Sequence, residues 1–212
     1  MLTKWLNNMA NNKKDQTTEQ RILQAAKKVF IHKGMAGARM QDIADEAGIN
    51  KAMLHYYFRS KEKLFEVIFR EAISNFVPRL HAIFAMRNSL FEKIQVFCRE
   101  YINVLSENPY IPLFVVNEAN KQPYEFLNTM FGNQKPDLSG LLLQIEEEIQ
   151  KGIIKPISPA QLLLNMMSLC IFPFLGRPIW KFLSGMDDLQ FNFLMQQRKD
   201  EVASFVINSI KK

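Results

Sequence analysis

Cysteine and histidine are scarce in this chain. Its 212 residues hold two cysteines, Cys98 and Cys170, so there is no disulfide framework and no cysteine zinc site. Both are flanked by apolar residues, which predicts that they pack as small hydrophobes. The three histidines, His32, His55 and His81, do not fall at metal-ligand spacing, so no metal is expected. The eight glycines form neither a Walker nor a dinucleotide-binding pattern, and no nucleophile elbow is present. With no paired-carboxylate or nucleophile–base constellation either, no cofactor and no enzymatic activity are expected. Long apolar runs are also lacking. Pro156 to Gly176 is uncharged, but Pro159, Asn165 and Pro173 interrupt it, and its continuous apolar part is too short for a bilayer core of ~30 Å. A buried or subunit-interface helix is predicted there, with no membrane partner. Lys4 and Trp5 are not followed by an apolar run, so no secretory signal is read and a cytoplasmic location is expected.

What is present is an apolar fraction of 48% and a charged fraction of 23%, the make-up of a folded protein. The net charge is +6, and it is unevenly placed. Residues 1–70 carry 13 Lys and Arg against seven Asp and Glu, whereas residues 71–212 carry 14 of each sign. A basic first third joined to a neutral remainder suggests a polyanionic partner for the first part.

Helical periodicity dominates and no hairpin is evident, so an all-α fold is expected. Residues 1–16 are polar, with Lys13 and Lys14 among them, and read as a flexible arm. Thr17 and Gln20 form a capping box ahead of Ile22, Ala25, Ala26, Val29 and Phe30, which share one helix face. Gly34 is expected to end this helix as a left-handed cap. Met40, Ile43, Ala44 and Ala47 line a short second helix that Gly48 breaks, with Ile49 turned toward the core. Asn50 caps a third helix, Lys51 to about Tyr57, and Ser60 a fourth from Lys61, which should end or kink near Val77 because Pro78 follows. The remainder predicts helices from Asn88 or Ser89 to about Leu105, Ile111 to Ala119, Leu138 to Lys151, Ser158 to the Gly176-Arg177-Pro178 stop, and Phe191 to about Ser209. Gly132 to Asp137 reads as a loop.

The informative segment is Gln41 to Phe58. It reads as two short helices joined by a tight glycine turn, with apolar positions facing a common core and basic, polar and aromatic groups on the second helix facing outward. That is the layout of a helix-turn-helix, whose second helix enters the major groove. Gly34, Met40, the run Ile43-Ala44-x-x-Ala47-Gly48-Ile49, Leu54, Tyr57-Phe58 and Ser60-Lys61-Glu62-x-Leu64 together resemble the DNA-binding domain of TetR/AcrR-type transcriptional regulators. The resemblance covers about residues 17–70. Two positions depart from it. Ala38 and Arg39 stand where the family often has a capping Thr or Ser, and His55 replaces the usual Tyr after the recognition-helix leucine.

The resemblance implies a fold and a set of roles. The fold is an N-terminal three-helix helix-turn-helix domain over 17–70, followed over 71–212 by an α-helical ligand-binding and dimerisation bundle. Asn50, Lys51, Ala52 and Met53 would meet base edges and nearby phosphates. Lys51 suits guanine or a phosphate, and Ala52 and Met53 a thymine methyl. His55, Tyr56 and Lys61 would reach phosphates, Gln41 is placed similarly on the supporting helix, and Arg39 would reach a phosphate in place of capping. Leu54, Tyr57 and Phe58 are assigned to the core or its edge. Thirteen of the 17 phenylalanines lie after residue 70. For a largely apolar small-molecule effector, Phe97, Tyr101, Phe114, Glu118, Phe126 and Phe172 are the expected pocket residues, with Glu118 orienting a cationic or hydroxylated ligand. The last two long helices would form a two-fold homodimer through Leu162, Leu163, Met166, Ile171, Phe191, Leu194, Val202, Phe205 and Val206. The function implied is a ligand-responsive repressor, released from a near-palindromic double-stranded DNA operator. The helix from Lys61 to Val77 would join the DNA-reading part to the pocket. A rival reading is a ligand-independent architectural or adaptor protein that binds DNA and recruits a partner through its C-terminal bundle. Lack of any enclosed cavity would favour it.

Overall fold

The computed structural model describes residues 17–121, 123–132 and 136–212. The arm at 1–16, with Lys13 and Lys14, lies outside the described residues. The chain divides after Phe69 into two compact units. Among the described residues every long element is helical, and the only strand-like pairing is one isolated antiparallel bridge between Ile154 and Lys211.

The first unit is built from α1 (Thr18–Gly37), α2 (Met40–Ala47), α3 (Lys51–Tyr57) and the beginning of α4 (Lys61–Ala85). The Thr17–Gln20 capping box closes as its spacing predicts. Thr17 N–H donates to Gln20 Oε1 (3.1 Å) and Gln20 N–H to Thr17 Oγ1 (3.3 Å). Ile22, Ala25, Ala26, Val29 and Phe30 are all buried. Alanines on α1 and α2 allow close approach, and Phe30 meets Phe65 edge to face at 5.2 Å. Gly34 does take a positive φ, but at φ 66° and ψ 171° it is not a left-handed cap. The chain resumes a last helical turn to Gly37, and Ala38 N–H donates to Gly34 O (3.1 Å). Gly48, at φ 65° and ψ 38°, is the left-handed cap that ends α2. Ile49 is only half-buried.

The second unit holds the rest of α4 with α5 (Leu90–Glu107), α6 (Ile111–Lys121), α7 (Pro123–Phe131), α8 (Ser139–Gln150), α9 (Pro159–Leu175), α10 (Arg177–Ser184) and α11 (Asp188–Ile210). Of the two outcomes expected near Val77, an end is excluded, because α4 runs on through Pro78 to Ala85. An internal proline costs a helix roughly 3 kcal/mol. The burial of Phe76, Val77, Ile83 and Phe84 on both sides of it offsets that cost. Helices α7 and α10 were not predicted at all. Each carries a proline in its first turn, where the missing N–H is harmless, so at Arg177-Pro178 the residues that read as a stop open the next helix.

The central helix is α5, as its broad apolar face predicts. Ser89 and Glu92 cap it reciprocally, and Ile94, Phe97, Cys98 and Ile102 pack against α9 and α11. Cys98 and Cys170 are both buried and free. Pro173 inside α9 cannot donate to Leu169 O. Arg198 from α11 supplies the missing donors through Nε (3.2 Å) and Nη2 (2.8 Å), tying α11 to α9 at that break. No single helix among the described residues is long and apolar enough to cross a membrane. Helices α9 and α10 reach that length only together, and they are bent by 66°.

Candidate nucleic-acid and effector sites

The candidate reading surface can be followed from α2 through α3 to the start of α4. Arg39 occupies the N-cap of α2, and its N–H donates to Asp42 Oδ2 at 3.0 Å. Asp42 also pairs with Lys33 at 2.9 Å. The Lys33 hydrogen bond, followed by the Arg39 N–H, holds the Asp42 carboxyl below the ordinary aspartate value. The backbone side of this cap is thus restored from within by Asp42, and the Arg39 side chain is left exposed. Gln41 is exposed, its Nε2 donating to Asp45 Oδ1 (2.7 Å) along α2.

Asn50 caps α3, its Oδ1 accepting from Met53 N–H at 2.7 Å. This cap turns Lys51, Ala52 and Met53 outward, all exposed, while Leu54 points straight into the core. One turn on, His55 is exposed with Nδ1 3.3 Å from Arg59 O. Tyr56 is 85% exposed and meets Tyr57 edge to face at 5.5 Å. Of the core and the core edge, Tyr57 takes the edge: three residues after Leu54 it lies near the same helix face, but at the last position of α3 it is 40% exposed beside Tyr56.

Lys61 also differs from the free cation expected. It is half-buried, and its ammonium donates to Met35 O (2.7 Å) and Ala38 O (3.1 Å). Two of its three donors therefore brace the end of α1. Arg59, by contrast, is exposed beside the α3 terminus. No acidic residue lies on α3, and the acids of α2 are engaged: Asp45 with Gln41, and Glu46 with Lys28 (2.9 Å). The outward face of α3 is consequently cationic and aromatic.

The second unit contains a cavity of about 10 Å³, room for a single water. Phe84, Ile94, Phe97, Ile145, Leu162 and Met166 are among its lining residues, and Lys93 is its one charged group. Of the six pocket residues expected, only Phe97 lines this cavity. Tyr101 lies next to Phe97 (5.5 Å) and stacks on Phe76 (5.3 Å), and burial pushes its hydroxyl above the ordinary tyrosine range. Phe114 and Phe126 pair edge to face at 5.9 Å. Glu118 is not a free buried carboxylate, because Lys121 neutralises it at 2.7 Å. Phe172 is 56% exposed. Lys93, which sequence reasoning missed, reads as an ordinary solvated helix lysine between Leu90 and Ile94. Only the packing of α4 and α8 around it reveals otherwise.

The expected homodimer residues separate into two groups. Leu162, Met166, Phe191, Val202 and Val206 are buried in the core of the protomer itself, so they are corrected to internal packing. Leu163 and Ile171 are half-buried, while Leu194 and Phe205 face outward. Alongside these the same helices expose Leu164, Met167 and Phe193, and α10 exposes Phe182 and Leu183. Exposed large apolar side chains are thus concentrated on α9, α10 and α11.

Residues 22–68 match the model of the bacterial regulatory proteins, tetR family. The HTH-type transcriptional repressor NicS of Pseudomonas putida is 42% identical over 59 residues, 28% of each sequence. The HTH-type transcriptional regulator RutR of Escherichia coli is 27% identical over 142 residues, 67% of this chain and 66% of that one. The chain thus spans under a third of NicS and about two thirds of RutR. Among solved structures, the ketosteroid transcriptional regulator KstR2 of Mycobacterium tuberculosis has the same fold, with a TM-score of 0.68 at 17% identity over 93% of this chain and 96% of that one. The helix-turn-helix match, the regulators to which the sequence is similar and the shared all-helical architecture agree: residues 22–68 match the tetR family of bacterial regulatory proteins, and the chain has the fold of a solved regulator of this kind.

Proposed function

We propose that this protein is a DNA-binding transcriptional repressor that acts as a homodimer and is released from a near-palindromic operator by a small, largely apolar effector. The observation that carries the reading is the outward face of α3. Lys51, Met53 and Tyr56 stand exposed on a helix whose other side, through Leu54, is anchored in the core. An exposed aromatic and an exposed methionine beside unpaired cations are costly to leave in water, and they are suited to base edges, thymine methyls and phosphates. Lys51, Arg39 and Arg59 supply the charge, with His55 and Tyr56 as further phosphate donors. Asn50 and Lys61 act chiefly by fixing the backbone that presents them, and Gln41 is held along α2 by Asp45. NicS, to which residues of this chain are similar, is a transcriptional repressor, which supports the sign of regulation.

Dimerisation through the exposed faces of α9 and α11 sets two copies of α3 about one DNA turn apart, which calls for two-fold symmetry in the operator. Helix α4 carries residues of both units, so it is the covalent route by which an effector in the bundle biases the spacing of the reading helices. The effector must bind the released arrangement more tightly than the DNA-bound one. Selection of bound fragments from genomic DNA, followed by mobility shifts with wild type, Lys51→Ala and Tyr56→Ala, tests the DNA-binding reading. Undiminished binding by both variants would refute the proposed reading face.

A further inference from the structure

Lys93 is the one charged side chain buried among the described residues, at 6% exposure. Its stem runs along α5 between Leu90 and Phe97, and its ammonium donates to Phe84 O at 3.0 Å, in the last turn of α4. That carbonyl is one of the orphans of a helix end, so the bond satisfies it and places the cation at the negative end of the helix. It uses one of three N–H donors. No carboxylate among the described residues lies within ion-pair distance of Lys93, although acids elsewhere in the bundle are paired: Glu100 with Arg79, and Asp200 with Arg99. A buried ammonium without a counter-ion is an unusual thing for a core to retain, because Met at the same position would fill the space without the desolvation cost.

The cavity beside it gives this cation a setting. Its walls are otherwise apolar, with Phe84, Ile94, Phe97, Ile145 and Met166 from four helices. An apolar enclosure with one buried cation discriminates by chemistry. A neutral hydrophobic ligand leaves the ammonium unpaired, a cationic one is repelled, and a carboxylate on an apolar body satisfies both the charge and the walls. We propose that the effector is an amphipathic monocarboxylate whose carboxylate pairs with Lys93 and whose apolar body occupies an enlarged form of this cavity. The inference rests on the effector-responsive reading given above and adds the ligand's chemical class. The present room of about 10 Å³ is too small for such a body. Binding therefore selects an opened bundle over the closed one, and that difference in affinity between two states is what an effector needs in order to regulate.

The test uses the full-length protein and a matched series: straight-chain monocarboxylates of six to twelve carbons, with the primary alcohol and the primary amine of each length. Calorimetric titration should show an acid binding at least about tenfold more tightly than the alcohol of equal length, with the amine weakest. Lys93→Met should remove the preference for the acid, and Lys93→Arg should keep it. Circular dichroism and thermal unfolding establish that each variant is folded, and acid-versus-alcohol discrimination is a readout that loss of a helix cap alone does not move. Equal affinity for acid and alcohol, no binding by any acid, or an undiminished preference in folded Lys93→Met overturns the proposal. Release of operator DNA by an alcohol or amine while no acid binds leaves the effector-responsive reading standing and removes only the carboxylate. If acids bind with the expected preference but operator affinity does not change, the Lys93 site stands and the regulatory reading falls.

Discussion

The two units use apolar and charged residues in opposite ways. In the first, the core is small and rich in alanine, and what remains outside is cationic and aromatic along α3. In the second, large side chains such as Ile94, Phe97, Phe174 and Phe191 fill the core, and further large apolar residues stay outside on α9, α10 and α11. The charge follows the same division, with all of the excess positive charge in residues 1–70. The nature of what each surface leaves unsatisfied indicates its partner. Unpaired cations beside exposed aromatic rings suit a polyanion with stacked bases, and an uncharged apolar face suits a second copy of itself. The exception within the bundle is equally telling, because the one buried cation sits where the walls are apolar.

This contrast can be broken in a graded series. The largest effect is expected from Leu54→Ala, which empties the centre of the smaller core and should destabilise the first unit by about 2–5 kcal/mol. Amide hydrogen exchange should show protection lost across residues 17–69 and retained in α5, α9 and α11. Uniform loss across both units would show that the division at Phe69 is not a division in stability. Next is Phe205→Glu. This residue is 66% exposed in the protomer, so the variant should fold normally yet sediment as a monomer at concentrations where the wild type is a dimer. The control is Val206→Ala, next to it but internal. It should lower the melting temperature and leave the assembly unchanged.

Lys51→Ala should weaken operator binding about tenfold and lessen its salt dependence by roughly one counter-ion, with no change in stability. Equal salt slopes for variant and wild type would remove Lys51 from the phosphate contacts. The smallest effect concerns Asp42. Its carboxyl is held below the ordinary value by Lys33 and the Arg39 N–H, so it contributes stability above the unfolded-state value that is lost as pH falls through the folded one. Melting of the first unit followed downward from pH 6 should therefore fall more steeply below about pH 4 in wild type than in Asp42→Asn. Parallel curves would mean that the cap of α2 does not depend on this charge.

Much of this molecule is legible in its sequence because the signals are local. The Thr17–Gln20 box, the Asn50 cap and the break at Gly48 each need only neighbours within four residues, and each is found as the spacing predicts, whereas the left-handed cap expected at Gly34 is found at Gly48 instead. The reading helix is legible for the same reason: a short amphipathic segment after a glycine turn has one apolar face, so its outward residues follow by elimination. Where the pattern is ambiguous, the sequence is silent. Helix α9 is apolar on nearly every side, so Leu162, Leu163 and Leu164 look alike in the sequence. The structure makes them buried, half-buried and exposed in turn. That is why five expected dimer residues prove internal. Prolines mislead in the same way, since Pro178, read as part of a stop, lies in the first turn of a helix and Pro78 lies within one that runs on.

By itself, then, the sequence determined the helical elements with strong local caps, the uneven charge and the identity of the helix offered to solvent in the first unit, because period, capping and composition act within a few residues. Only the tertiary structure decided which apolar faces of α9 and α11 are spent inside the protomer, that Lys61 braces α1, and that Lys93 is enclosed. Each of these depends on contacts between residues distant in the chain, and burial, unlike periodicity, is a property of what packs on the other side.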